Sequence, residues 1–132
     1  MAAKRKIVEQ TPREKVLEAY QTAVAQSPAS PLAQTNLGWG LQYADRSEEA
    51  LAAFQRAVEL DPNSVDAYFG LGLSYKRLGK KDDAIRAFEK AIALADLAED
   101  SNRGKMLKRL AGGHLREMQT GDWDLGGLSR LN

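Results

Sequence analysis

Apolar residues along the chain recur three, four and seven positions apart, the spacing that lays one stripe down a helix. No stretch alternates for long enough to suggest a strand. Shifting the sequence by thirty-four residues lays Pro31–Ser64 over Val65–Ala98 and matches small with small and large with large. The identities are Ala33/Ala67, Leu37/Leu71, Gly38/Gly72, Ala50/Ala84, Ala53/Ala87, Phe54/Phe88, Ala57/Ala91 and Leu60/Leu94. A packing code repeated at that interval marks a helical repeat protein, and its period has to be found before any single element is read.

Each repeat divides into two helices. Ser30-Pro31 supplies an N-cap and a first-turn proline for a helix reaching about Ala44. Asp45-Arg46 makes the turn, and Ser47 is expected to cap a second helix to about Leu60, where Asp61-Pro62-Asn63 breaks the chain. Ser64 opens the next helix and Gly79 ends it, with Asp82 and Asp83 at the start of the fourth, where carboxylates complement the helix dipole. Ahead of these, Thr11-Pro12-Arg13-Glu14 reads as a capping box for a helix over 12–26. Tyr20, Ala23 and Pro28 stand thirty-four residues before Phe54, Ala57 and Pro62, so this helix corresponds to the second half of a repeat. Behind them, Ser101 caps a helix to about Gln119 with Met106, Leu107, Leu110 and Leu115 at helical spacing, weakened by Gly112-Gly113. The expected organisation is a flexible basic N-terminus over 1–10, a partial repeat over 11–30, repeats over 31–64 and 65–98, a capping helix over 99–119 and an apolar tail over 120–132.

The second repeat carries Tyr68, Leu71, Gly72, Tyr75, Gly79, Ala84, Phe88 and Ala91; the first carries Leu37, Gly38, Ala50, Phe54, Ala57 and Pro62. With these residues the chain resembles the tetratricopeptide repeat family. It departs from the pattern at Gln34, Leu41 and Asp45, where an aromatic residue, tyrosine and glycine are usual. The resemblance implies an all-α fold, a short right-handed solenoid of antiparallel helix pairs with a C-terminal capping helix. It also implies that the first helix of each repeat lines a concave, peptide-binding face. That face would carry Leu32, Thr35, Trp39, Gln42 and Tyr43 from the first repeat, and Asp66, Phe69, Leu73, Lys76 and Arg77 from the second. Arg103, Leu107 and Leu110 would be their counterparts on the last helix. The lysines of the family's carboxylate clamp are absent, with Thr35 and Trp39 in the first repeat instead, so chaperone-tail binding is not expected.

The helix from Pro31 to Ala44 has no charged residue. It is therefore covered on both sides within the monomer, or part of it awaits a partner. Exposed Trp39 and Tyr43 would suit a binding hot spot; packed beneath neighbouring helices, they would be core.

Composition narrows the function by exclusion. The chain has 132 residues, enough for one domain, and a formal charge of +1, which gives no global field for nucleic acid or an anionic membrane. There is no cysteine, which removes disulfides, thiolate metal sites and cysteine nucleophiles. Gly38-Trp39-Gly40 and Gly70-Leu71-Gly72 lie inside expected helices with no preceding strand and so fail the context of a dinucleotide loop. His114 is the only histidine, has no partner set by spacing, and is expected to face solvent. The pairs Glu48-Glu49 and Asp82-Asp83 sit in first turns and point different ways, as adjacent helical residues do.

No catalytic residue, cofactor or metal is therefore expected. Basic clusters at Lys76, Arg77, Lys80 and Lys81, and at Arg103, Lys105, Lys108 and Arg109, read as solvated faces or acidic-peptide contacts before nucleic acid. Neither a signal-like apolar run nor a membrane-spanning stretch is found, which points to a cytoplasmic protein. The expected role is a non-catalytic adaptor for a protein or peptide, the alternative being a self-assembling subunit. Self-association would use the same aromatic surface or the tail over 120–132, where Trp123, Leu125, Leu128 and Leu131 sit among glycines.

Overall fold

The structure, a computed structural model, describes residues 10–98 and 101–120. They form six α-helices: α1 (Pro12–Gln26), α2 (Pro31–Tyr43), α3 (Ser47–Leu60), α4 (Val65–Arg77), α5 (Lys81–Leu97) and α6 (Asn102–Thr120). The expectations for residues 1–9 and for the tail from 121 onward lie outside the described residues.

Local chemistry sets most of the helix boundaries. At α1, Thr11 Oγ1 accepts from the Glu14 amide and Glu14 reaches back to the Thr11 amide, 2.7 Å away. Ser30, Ser64 and Ser101 cap α2, α4 and α6 in one manner, each hydroxyl accepting from the amide three residues on, at 3.0–3.1 Å. Ser47 does not cap α3. It is the first helical residue, the cap position falls to Arg46 with no side-chain hydrogen bond, and Lys80 plays the same part at α5. The preceding turns explain this. Asp45 at φ 61° and Gly79 at φ 76° both enter the left-handed region, so the chain reverses two residues before each of these helices begins.

The helices stack in sequence, each antiparallel pair packing on the next. α2 comes together with α4 and α4 with α6, whereas α1, α3 and α5 do not approach one another. The first row is thus the close-set inner face of a helical solenoid and the second the splayed outer face. Two fully buried rings hold the rows together, Phe54 from α3 and Phe88 from α5. A Cβ at Gly38 or Gly70 would collide with the Phe54 ring, and one at Gly72 with the Phe88 ring, so glycine is required where α2 and α4 cross these aromatics. Among the described residues no helix is long and apolar enough to cross a membrane.

Candidate peptide-binding face

The inner row is built around a run of rings passing from helix to helix. Trp39 meets the Phe54 ring edge-on at 4.9 Å and lies 6.0 Å from Phe69. Phe69 packs against Phe88 at 5.7 Å, and Phe88 stacks flat on His114 at 5.1 Å. At the N-terminal end of this row a cleft of about 610 Å³ opens between α2, α4 and α6, lined among others by Leu32, Thr35, Asn36, Trp39, Asp66 and Arg103. Leu32 is 68% exposed there, an apolar side chain that the fold does not cover. Asp66 and Arg103 close one wall in a two-pronged ion pair, with Nε to Oδ2 at 2.7 Å. Donating to Asp66 raises the Arg103 pKa against the opposing effect of burial.

Further along the row, Lys76 bridges α4 and α6. Its ammonium lies 2.8 Å from His114 Nδ1 and 2.9 Å from Glu117. An ammonium can only donate, so Nδ1 is the acceptor and the neutral imidazole carries its proton on Nε2. Burial, followed by the Lys76 charge, lowers the His114 pKa, with Glu117 opposing. The expected solvent-facing histidine is thus a half-buried ring stacked on the core. Its neighbours come from other helices, and sequence spacing could not show them.

The ten expected face residues divide by location. Leu32, Thr35, Trp39 and Asp66 meet in the cleft. Thr35, Gln42 and Phe69 are buried, a correction to their expected exposure, because inner-row helices pack side by side as well as against the outer row. The Gln42 side chain donates to Ser74 Oγ at 3.2 Å, and its backbone carbonyl accepts from Arg77, which also faces Asp45 at 3.7 Å. Leu73 packs against the Phe88 cluster, while Lys76 is engaged by α6. Tyr43 turns the other way, with the Arg13 guanidinium of α1 4.7 Å above its ring.

The counterparts on α6 also shift. Leu107 is buried, whereas Met106 and Leu110 are exposed. α5 has 17 residues against 14 in α3, nearly one extra turn, so the caps Ser64 and Ser101 stand thirty-seven residues apart. That offset places Arg103, Met106 and Leu110 opposite Asp66, Phe69 and Leu73. The three serine caps carried this signal in the sequence. Asn36 and Asp61, which line the cleft beside the Ser64 cap, had no such marker. No group of three or more histidine, aspartate or glutamate side chains among the described residues could hold a metal ion.

Comparison with known proteins agrees with this architecture. A family model described as TPR repeat matches residues 45–79, and one described as Tetratricopeptide repeat matches residues 65–96. No protein of curated function matches the chain. Among solved structures, PcrH in complex with the chaperone binding region of PopD is similar at 21% identity and a TM-score of 0.73, over 82% of this chain and 79% of that one. The Sgt2 TPR domain from Aspergillus fumigatus is similar at 22% identity and a TM-score of 0.65, over 82% and 71%. MamA shares 31% identity at a TM-score of 0.58, over 82% of this chain and 63% of its own.

Proposed function

Since the chain belongs to the tetratricopeptide repeat family, we propose that it is a non-catalytic adaptor that holds a peptide segment of another protein on the inner face of α2, α4 and α6. The observation that carries this reading is the cleft in which Leu32 stands uncovered beside Trp39. A cleft of about 610 Å³ is within the range of sites that hold small ligands and anchor side chains. Its chemistry asks for an apolar anchor against Leu32 and Trp39, flanked by a donor that Asp61 or Asp66 can accept from. The complex of PcrH with a PopD segment is a structural neighbour in which the same fold accompanies a bound polypeptide.

Selection from a random peptide library, followed by titration of the selected peptides, tests this. Leu32→Asp is the cleaner variant, since the side chain is exposed and the fold does not depend on it; binding should weaken at least tenfold. Trp39→Ala should weaken it further, about thirtyfold if Trp39 is an anchor of 2 kcal/mol. Peptides that bind the Leu32→Asp protein equally well would refute the reading. A competing one is self-association through the same surface, favoured by Met106 and Leu110 standing exposed on α6. Light scattering over a hundredfold concentration range separates the two, because self-association raises the mass and Leu32→Asp would lower it again.

A further inference from the structure

A second surface lies on α6, in its groove with α5. The helix carries Arg103, Lys105, Lys108, Arg109 and Arg116 against Glu117 alone, although the whole chain has a net charge of only +1. Arg103 is committed to Asp66 and Lys108 to Asp96. Lys105, Arg109 and Arg116 make no ion pair among the described residues. With Lys108 and Gly112 they form one stripe about 16 Å long, at 1.5 Å per residue. The stripe borders a groove of about 380 Å³ whose apolar lining is Ile92.

The glycines of α6 add an independent observation. Those at 38, 70 and 72 are forced by aromatic rings, as shown above. Gly112 and Gly113 are not: a Cβ at either position would meet only the Arg116 guanidinium, at 3.7 and 3.9 Å. Two mid-helix glycines weaken a helix, and no packing among the described residues requires them. They leave room at the middle of the stripe, between its cations and over the Ile92 side.

We propose that this groove docks an acidic peptide segment of a partner protein, with carboxylates on Lys105, Arg109 and Arg116 and an apolar side chain over Ile92 beside Gly112. Charge complementarity selects the anion. The apolar lining and the short stripe select peptide over nucleic acid: Ile92 offers nothing to a phosphate, and Asp96 stands at the edge of the stripe on Lys108. This surface is separate from the inner-face cleft, so either can fail without the other.

The test is fluorescence anisotropy of a labelled Glu-Glu-Leu-Glu-Glu-Leu-Glu-Glu peptide with the full chain at low ionic strength. Saturable binding is expected, weakened about tenfold by Lys105→Gln/Arg109→Gln/Arg116→Gln, since each exposed pair contributes only modestly. Gly112→Leu should weaken it as well by filling the groove, while Leu32→Asp should leave it unchanged. All the substituted α6 residues but Gly112 are exposed, and circular dichroism checks that each variant remains folded. No binding, or binding indifferent to the triple variant, overturns the proposal. So does tighter binding of a single-stranded oligonucleotide or of phosphatidylserine vesicles. Binding seen only after removal of residues 121–132 also overturns it, because the chain's own Asp122-Trp123-Asp124-Leu125 would then be the occupant.

Discussion

The inner row has two seams of the same geometry and opposite chemistry. Where α2 meets α4, the buried contacts are neutral, Trp39 against Phe69 and Gln42 donating to Ser74, and one exposed guanidinium, Arg77, donates to the Gln42 backbone carbonyl at the end of the seam. Where α4 meets α6, ions dominate, with Asp66 on Arg103 at one end and Lys76 between His114 and Glu117 at the other. These pairs remain partly open to solvent and contribute only about 1 kcal/mol each, so they do not by themselves hold α6 in place. Phe88, Leu107, Ala111 and Met118, all buried together, do that. The ions fix the register of α6 along α4, and they make this seam more responsive to salt and pH than the other.

Removing the central ring of each seam should have the largest effect. Phe54→Ala and Phe88→Ala should each cost about 3–5 kcal/mol in urea unfolding, the usual loss for a fully buried aromatic. They should differ in one readout. Phe88→Ala also removes the ring on which His114 stacks, so the histidine's NMR titration should move back toward its ordinary pKa. Phe54→Ala should leave that titration in place.

Glycine substitutions give the next largest contrast, and their signs are opposite. Gly70→Ala pushes a methyl group into the Phe54 ring and should cost about 1–3 kcal/mol through overpacking. Gly112→Ala meets only a flexible guanidinium and should stabilise α6 by up to about 1 kcal/mol, the propensity gain of alanine over glycine. Thermal melts of the two variants beside the parent protein decide both.

The first seam was far more legible in the sequence than the second, for a physical reason. Gly38, Phe54 and Gly72 with Phe88 recur at one period, and a repeated packing contact leaves a repeated residue pair. Asp45 hid the first turn only partly, since aspartate at φ 61° does the work of Gly79 at φ 76°. The second seam joins a repeat to a helix whose register is displaced by the longer α5. A thirty-four-residue shift therefore selected Leu107 together with Leu110, whereas Leu107 is buried and Met106 is the exposed residue beside Leu110. Its ionic contacts are single events between residues such as Lys76 and His114, thirty-eight positions apart, and nothing repeats them elsewhere. The cleft was half visible for the same reason: periodic positions supplied Leu32 and Trp39 and marked Ser64 only as a helix cap, while Asp61 came from the loop before it.

Salt should separate the seams more gently. A double-mutant cycle on Asp66→Asn and Arg103→Gln should give a coupling of about 0.2–1 kcal/mol at low ionic strength. In 1 M salt, where the Debye length is about 3 Å, most of it should vanish. A cycle on Gln42→Leu and Ser74→Ala, across the neutral seam, should show no such dependence. An equal response of both cycles would mean that the ionic seam is ordinary packing with charges at its edge.

The smallest effect, and the one with the clearest sign, is pH. His114 has a lowered pKa in the folded chain because burial and the Lys76 ammonium both disfavour its cation. Unfolded, it titrates near its ordinary value of about 6.5. Between those two values the unfolded chain binds the extra proton, so stability rises with pH there. The contribution is fully present above pH 6.5 and is lost as the pH falls through the folded value. Glu49, lowered by its hydrogen bond to Arg46, acts only below the ordinary carboxylate range and leaves this window to the histidine. Urea unfolding at steps from pH 7.5 to 5 should therefore show a decline that His114→Phe removes, since phenylalanine keeps a ring against Phe88 and cannot take up a proton. If the variant declines in parallel with the parent, the proton is being taken up elsewhere, and the α4–α6 seam would be no more sensitive to pH than its neutral counterpart.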